Sequence, residues 1–257
     1  MKRLLYKIYT CTLLSKERTN HFQMIARNKE WNAILDYIAQ NSKFLDVGCG
    51  AGYSMMRARN EKNCDIVGID PDPMEHGVGR TGSNFNINVE NIMKGSSENI
   101  PFENAVFDVV YSSHVLEHVD SENAALKEMK RVLKDDGVLI IGVPTSTMAL
   151  LNWISQVLFL THIKLVSLLF SKIMNTSKYL WWELFIPQSH SFKSKTILYD
   201  LRHYRIKNWH KTISKEFMIT RTILPALYPY PEFIQPFKIR KFKNITSSVF
   251  FICVKKV

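Results

Sequence analysis

Carboxylates are scarce in the second part of this 257-residue chain. Residues 145–257 hold four (Glu183, Asp200, Glu216, Glu232) against 17 Lys and Arg, whereas residues 1–144 hold 19 acidic and 17 basic side chains. The net charge of +11 is therefore a property of the C-terminal part. Cysteine is scarce too: Cys11, Cys49, Cys64 and Cys253 are too few and too scattered for a disulfide scaffold or a zinc-ribbon spacing. A reducing, cytoplasmic setting and no metal site are expected. No repeat of fixed period is present. The N-terminus, MKRLLYKIYTCTLLSK, lacks a clean apolar run and no small-residue cleavage site follows it. That argues against a secretory signal and for a short amphipathic helix docked on the body or on a membrane. With 46% hydrophobic residues the chain can bury a core, which excludes disorder as a description of the whole.

Strand-like and helix-like patterns alternate over 43–143, as in a parallel sheet. Lys43–Val47 (KFLDV) ends at a glycine cluster, and Tyr53–Asn60 can start a helix. Asp65–Asp70, Asn91–Lys94, Phe107–Ser112 and Val138–Val143 read as further strands, the last preceded by a helix through Leu126, Met129 and Leu133 and by the turn KDDG. Tyr199–Thr212 reads as a helix, and Glu216–Leu224 and Ser248–Val254 as a closing strand pair. Four regions are expected: an N-terminal helical extension (1–42), a cofactor-binding core (43–144), a helical aromatic and basic insertion (145–198), and a C-terminal helix with a strand pair (199–257).

The insertion departs from this rhythm. Met148–Phe170 has the length of a membrane span of about 20 residues, but Lys164 sits well inside it, where a charge is expensive. Asn152, Ser155 and Gln156 share one helix face; Lys164, Ser167 and Ser171 share another, offset by about a quarter turn. Two short amphipathic helices broken near Thr161–His162 fit better than one span.

The strongest local signal is LDVGCGAG, Leu45–Gly52. A strand delivers Asp46, and Gly48, Gly50 and Gly52 let the backbone turn tightly against a ligand. The spacing is GxGxG, not the GxGxxG of dinucleotide dehydrogenases. A helix N-terminus follows, suited to an anionic group. Asp70 ends the second strand, 18 residues beyond Gly52, where a carboxylate can accept the hydroxyls of a ribose.

This motif, then VGIDPDPM, GSSENIPFENAVFDVVYSSHVLEHV and EMKRVLKDDGVLIIGVP in consecutive order over about 43–144, resembles the class I S-adenosylmethionine-dependent methyltransferases. The similarity is to the type 11 branch, which includes the quinone-biosynthesis enzymes. The resemblance implies an α/β fold: a doubly wound, seven-stranded Rossmann-like sheet with an antiparallel last strand and a helical insertion between strands 5 and 6. It implies S-adenosyl-L-methionine as cofactor. Asp46, Gly48 and Gly50 would line its methionine end, with Cys49 and Gly52 in the same turn. Asp70 would hold the ribose, Pro71 and Met74 would pack near the adenine, and Ser96, Ser97 and Glu98 would border that ring. Ser112, Ser113 and His114 would sit beside the cofactor and open towards substrate.

Two departures qualify the resemblance. Ser96 stands where the branch commonly has an acidic residue accepting the adenine amino group, which implies weaker cofactor binding. No Asn-Pro-Pro-aromatic signature follows the fourth strand, where SSHV stands, which argues against methylation of base amino groups. Cys49 is expected to pack rather than react, and Glu117–His118 to support structure. If the acceptor is a hydroxyl, His114 and His190 are the candidate bases. The acceptor is expected to be small, lipid-linked or a glycan, methylated at oxygen or carbon. The aromatic and basic tail favours a peripheral anionic membrane surface over nucleic acid. An RNA or protein methyltransferase, and a non-catalytic cofactor-binding regulator, are the alternatives.

Overall fold

The computed structural model describes residues 16–73, 91–157, 185–186, 189–191, 193–194, 196–228 and 244–256. Met74, most of the expected 148–170 helices and the first 15 residues lie outside them. The chain opens with α1 (Lys16–Ile34) and a short 3-10 turn, Leu35–Tyr37. Then follow β1 (Lys43–Val47), α2 (Tyr53–Lys62), β2 (Asp65–Asp70), β3 (Ile92–Lys94) and β4 (Phe107–Ser113). After them come α3 (Glu122–Val132), β5 (Leu133–Pro144) and a helix, α4, over 146–157. The chain closes with α5 (Ile197–His203), α6 (Ile206–Ile213), β6 (Phe217–Ile223) and β7 (Ser248–Lys255).

The seven strands form one sheet in the order β3-β2-β1-β4-β5-β7-β6. β1 to β5 are parallel; β7 runs antiparallel to both β5 and β6. The expected architecture is present, with the strand order reversing between β1 and β4. At such a switch point the carboxyl ends of neighbouring strands diverge and leave a crevice for ligand.

Alternation along the strands divides the core in two. Leu45, Val47, Val110, Ile141 and Phe251 face α3 and α6, packing with Leu126, Met129, Trp209 and Ile213. Phe44, Val109, Tyr111, Ile140 and Phe250 face the other way, onto Trp31 and Ile34 of α1 and Met55 and Ala58 of α2. Trp31 meets Phe44 and Tyr111 edge-on at 6.2 and 5.8 Å, a favoured aromatic geometry. Ser121 caps α3 by accepting a hydrogen bond from the Ala124 N–H at 3.2 Å. Glu122 in its first turn and Lys130 and Arg131 in its last suit the helix dipole.

Two boundaries differ from the sequence reading. Leu133 belongs to β5 rather than to the helix, and the KDDG segment is a bulge within that strand. The register jumps from Phe107↔Leu133 to Val109↔Val138, with Lys134 Nζ held 2.6 Å from Asp108 Oδ1. The expected helix over 199–212 is two helices broken at Tyr204–Arg205. There Asn208 Nδ2 donates to the Arg202 and His203 carbonyls, so the free end of α5 is satisfied by a side chain.

Candidate active site

The turn after β1 is tied to the end of β2. The Gly48 and Cys49 N–H groups both donate to the Ile69 carbonyl, at 2.8 and 3.1 Å, and the Gly50 N–H donates to Asp70 Oδ2 at 2.9 Å. Asp70 Oδ1 accepts from the Asp72 N–H at 2.9 Å, which sets the chain direction leaving β2. Gly48, Gly50 and Gly52 all have positive φ. At Gly48 the requirement is double: φ is +78°, and a Cβ would fall 2.2 Å from Val115 Cγ2. Backbone here approaches the loop after β4 as closely as atoms allow.

A cavity of about 220 Å³ opens at this edge, lined by Gly48, Pro71, Gly95, Ser96, Ser97, Glu98, Val115 and His118 to Asp120. The segments that leave β1, β2, β3 and β4 all contribute. Gly48, Pro71, Ser96, Ser97 and Glu98 were expected here. Gly95, Val115, Val119 and Asp120 were not, since nothing in their residue types marks them; only the sheet order brings them in. Asp46, Asp70, Ser112 and Ser113 lie at the adjoining strand ends, and Gly50 and Gly52 in the turn after β1, rather than in the cavity wall.

Three expected residues have a different part to play locally. The Cys49 thiol packs into the core beside Gly68 and Met55, and burial pushes its pKa far above the usual thiol range. Only its backbone shapes the turn. Ser96 Oγ accepts from the Glu98 N–H at 3.2 Å, closing a local turn. Glu98 borders the cavity, but its Oε1 is engaged by the Ser121 N–H at 2.6 Å and so ties the β3 loop to the start of α3.

Among the described residues, the buried polar side-chain atoms without a hydrogen-bond partner gather at this edge. They are Asp46 Oδ2, Ser112 Oγ, Ser113 Oγ, His114 Nε2, both Glu117 carboxylate oxygens and Tyr204 Oη. Such atoms are costly unless something polar meets them. Burial, reinforced by the neighbouring charge of Asp70, pushes the Asp46 pKa up to about 8.

His114 occupies a left-handed backbone position, φ +57°, with its N–H donating to the Gly142 carbonyl at 2.8 Å. Its ring lies between two buried carboxylates: Nδ1 is 3.3 Å from Glu117 Oε1 and Nε2 is 3.7 Å from Glu30 Oε1. Burial and Arg27 lower its pKa, but Glu117 and Glu30 outweigh them and the net shift is upward. The ring is thus held between two carboxylates, and His114 is not among the residues that line the cavity. Glu30 is itself a hub that the sequence did not reveal. It is 1% exposed, pairs with Arg27, and accepts from the Tyr228 and Ser248 hydroxyls. Arg27 and His114 together hold its carboxyl well below the usual range against the opposing effect of burial.

His190 is brought to the same edge from the far side of the insertion. Its ring meets His118 edge-on at a centroid distance of 5.3 Å. Asp200 of α5 sets this turn, accepting from the His190 N–H and the Ser189 hydroxyl, each at 2.6 Å. Burial is the main cause that pushes the His190 pKa down to about 4, with Glu117 partly opposing it. Asp200 carries no motif and could not be found from sequence.

Residues 45–141 match the protein family described as "Methyltransferase domain". Over this stretch the chain is similar to methyltransferase domains. The tRNA U34 carboxymethyltransferase of Saccharophagus degradans is 31% identical over 122 residues, covering 44% of this chain and 36% of that protein. The sterol 24-C-methyltransferase of Schizosaccharomyces pombe is 31% identical over 120 residues, covering 45% and 31%. The chain thus spans about a third of the length of these relatives. In fold, a Thermotoga maritima structure described as an S-adenosylmethionine-dependent methyltransferase superposes with a TM-score of 0.58 at 16% identity, over 93% of this chain and 94% of that one.

The cofactor of such a domain is S-adenosylmethionine, and the residues present fit it. The Gly48 turn leaves no room for a side chain, the Asp46 carboxyl has an oxygen without a partner, and Asp70 retains acceptor capacity beside the cavity.

Proposed function

We propose that this chain transfers the methyl group of S-adenosyl-L-methionine to oxygen or carbon of a small, lipid-linked or glycan acceptor. The observation that carries the reading is the Gly48–Gly50 turn, locked to Ile69 and Asp70, at the mouth of a cavity lined by four strand exits. The cofactor's sulfonium supplies an activated methyl group, so the protein's task is chiefly to hold donor and acceptor in line. Asp70 orients the ribose, and Asp46 with the turn receives the amino-acid end. Ser112 and Ser113 border the reacting methyl. Without a metal, removing a proton from a hydroxyl acceptor is assigned to His190, whose ring meets His118 at the cavity edge.

An apolar acceptor at a membrane face is supported by α4, where Leu150 and Ile154 lie one turn apart and are 44% and 46% exposed. No helix among the described residues is long and apolar enough to cross a membrane. RNA is the second reading. Exposed Arg202, Arg205, Lys207, Lys211, Lys215 and Arg221 favour it, and several relatives are named for action on tRNA. Incubating the protein with labelled cofactor and cell fractions separates the two. Label in the organic extract or in glycan supports the first reading, and label in RNA replaces it with the second. No transfer to any fraction would reject catalysis itself.

A further inference from the structure

The carboxylate of Glu117 and ring nitrogens of His118 and His190 converge, each offering one atom within 4.8 Å of the others. We infer that these three side chains form a divalent transition-metal site of the zinc type beside the methyl-donor cavity. The sequence reading expected no metal; Glu117 and His118 are adjacent, but only the insertion's return brings the distant His190 back to the loop after β4.

Two imidazoles and one carboxylate are the donor set preferred by zinc and its first-row neighbours, not by calcium or magnesium. Three protein ligands leave a coordination position open, as in catalytic rather than structural sites. A small rotation of side chains brings such donors to metal bonds of about 2.0–2.2 Å. A second observation points the same way. Glu117 is fully buried, yet neither of its oxygens has a hydrogen-bond partner. His114 Nδ1, 3.3 Å from Oε1, can orient the carboxylate from behind, as an outer partner orients a ligand, while Oε2 is left to meet a further ligand. His190 is fixed through its backbone by Asp200, so the third donor comes from a braced turn.

His118 also lines the cavity, so the three side chains border the space assigned to the methyl donor. The inference deepens the methyl-transfer reading and, for its chemistry, rests on it. A hydroxyl of the acceptor coordinates the metal and loses its proton to solvent at lowered pKa. The oxygen lone pair then forms the new O–CH3 bond as the S–CH3 bond breaks, its electron pair staying on sulfur to leave the neutral thioether. His190 is then a ligand rather than a base.

The test is metal binding, read without turnover. The full chain, stripped with chelator and dialysed against zinc, is expected to retain one zinc per chain by elemental analysis. Cobalt in its place is expected to show the visible bands of a low-coordinate site. His118→Ala, at an exposed residue that leaves the core intact, and His190→Ala are each expected to weaken binding at least about tenfold. Glu117→Gln is expected to do the same, with circular dichroism reporting the fold. His210→Ala, on the exposed face of α6, keeps wild-type affinity. A wild-type chain that retains no stoichiometric zinc, or variants that bind as wild type does, overturns the inference. Titration of the metal-free chain with S-adenosylmethionine reads the methyl-transfer proposal separately, so either can fail alone.

Discussion

Asp46 and Ser96 show how single side chains set the cofactor site's properties. Asp46 sits on a buried strand end with one oxygen unmatched and its pKa raised to about 8. In the unfolded chain the same carboxyl ionises near pH 3.9. Between those values the folded state holds a proton that the unfolded state has lost, so stability falls as pH rises through the window and levels off above about 8. Asp46→Asn removes this penalty. The cofactor-free variant is expected to melt at least about 2 °C higher than wild type at pH 8, with the difference vanishing towards pH 4. Thermal scans across that range check both the sign and the convergence. Ser96 presents a neutral hydroxyl at the cavity wall, already accepting from the Glu98 N–H. A carboxylate there would make a charge-assisted bond, roughly twice as strong. Ser96→Asp is expected to bind S-adenosylmethionine about ten times more tightly by isothermal titration, and an unchanged affinity removes Ser96 from the adenine contact.

At the scale of elements, α1 is clipped to the body by one buried acid. Glu30 joins Arg27, His114, Tyr228 and Ser248, so residues from both ends of the chain meet over the loop after β4. Removing one partner from a buried charge network leaves the others unpaired. Glu30→Gln is expected to cost about 3–5 kcal/mol in urea unfolding. A loss under 1 kcal/mol would mean that Trp31 and Ile34 alone hold the helix. None of this was legible in the sequence, where Glu30 is one acid in a polar helix. What was legible has local causes. KFLDV, DIVGID and SVFFICV are apolar runs that only buried strands explain, and the LDVGCGAG turn carries its own backbone requirement. The single helix expected over 199–212 failed because the break at Tyr204 is made by Asn208 reaching back to two carbonyls, which periodicity does not register. His190 and Asp200 escaped for another reason: their meeting depends on where the insertion returns, a tertiary fact.

The whole molecule is divided by charge as the sequence indicated. The six exposed cations from Arg202 to Arg221 make no ion pair with a carboxylate among the described residues, whereas Glu122, Glu128, Asp108 and Asp135 of the core are all paired. Near an anionic surface each Lys contributes about 1 kcal/mol, screened by salt. In flotation with anionic vesicles, Lys207→Glu combined with Lys211→Glu is expected to reduce the bound fraction at least about tenfold at low salt. Wild-type binding should itself fade at high salt. If vesicles are ignored and RNA is retained with the same dependence on these lysines, the surface serves a nucleic-acid acceptor.

Asp70 beside the glycine turn is central to methyl-donor binding: one carboxylate braces Gly50 and is assigned the cofactor's ribose. Isothermal titration of S-adenosylmethionine into wild type and Asp70→Asn tests this, because the amide oxygen can still accept from the Gly50 N–H while only the contact to the Asp72 N–H is given up, and circular dichroism checks that the fold is kept. Wild type is expected to bind one cofactor per chain, and the variant to bind about 10 to 100 times more weakly, the worth of a hydrogen bond to a charged group at about 1.5–3 kcal/mol. Absence of binding to the wild-type chain, or equal affinity in the variant, would contradict it.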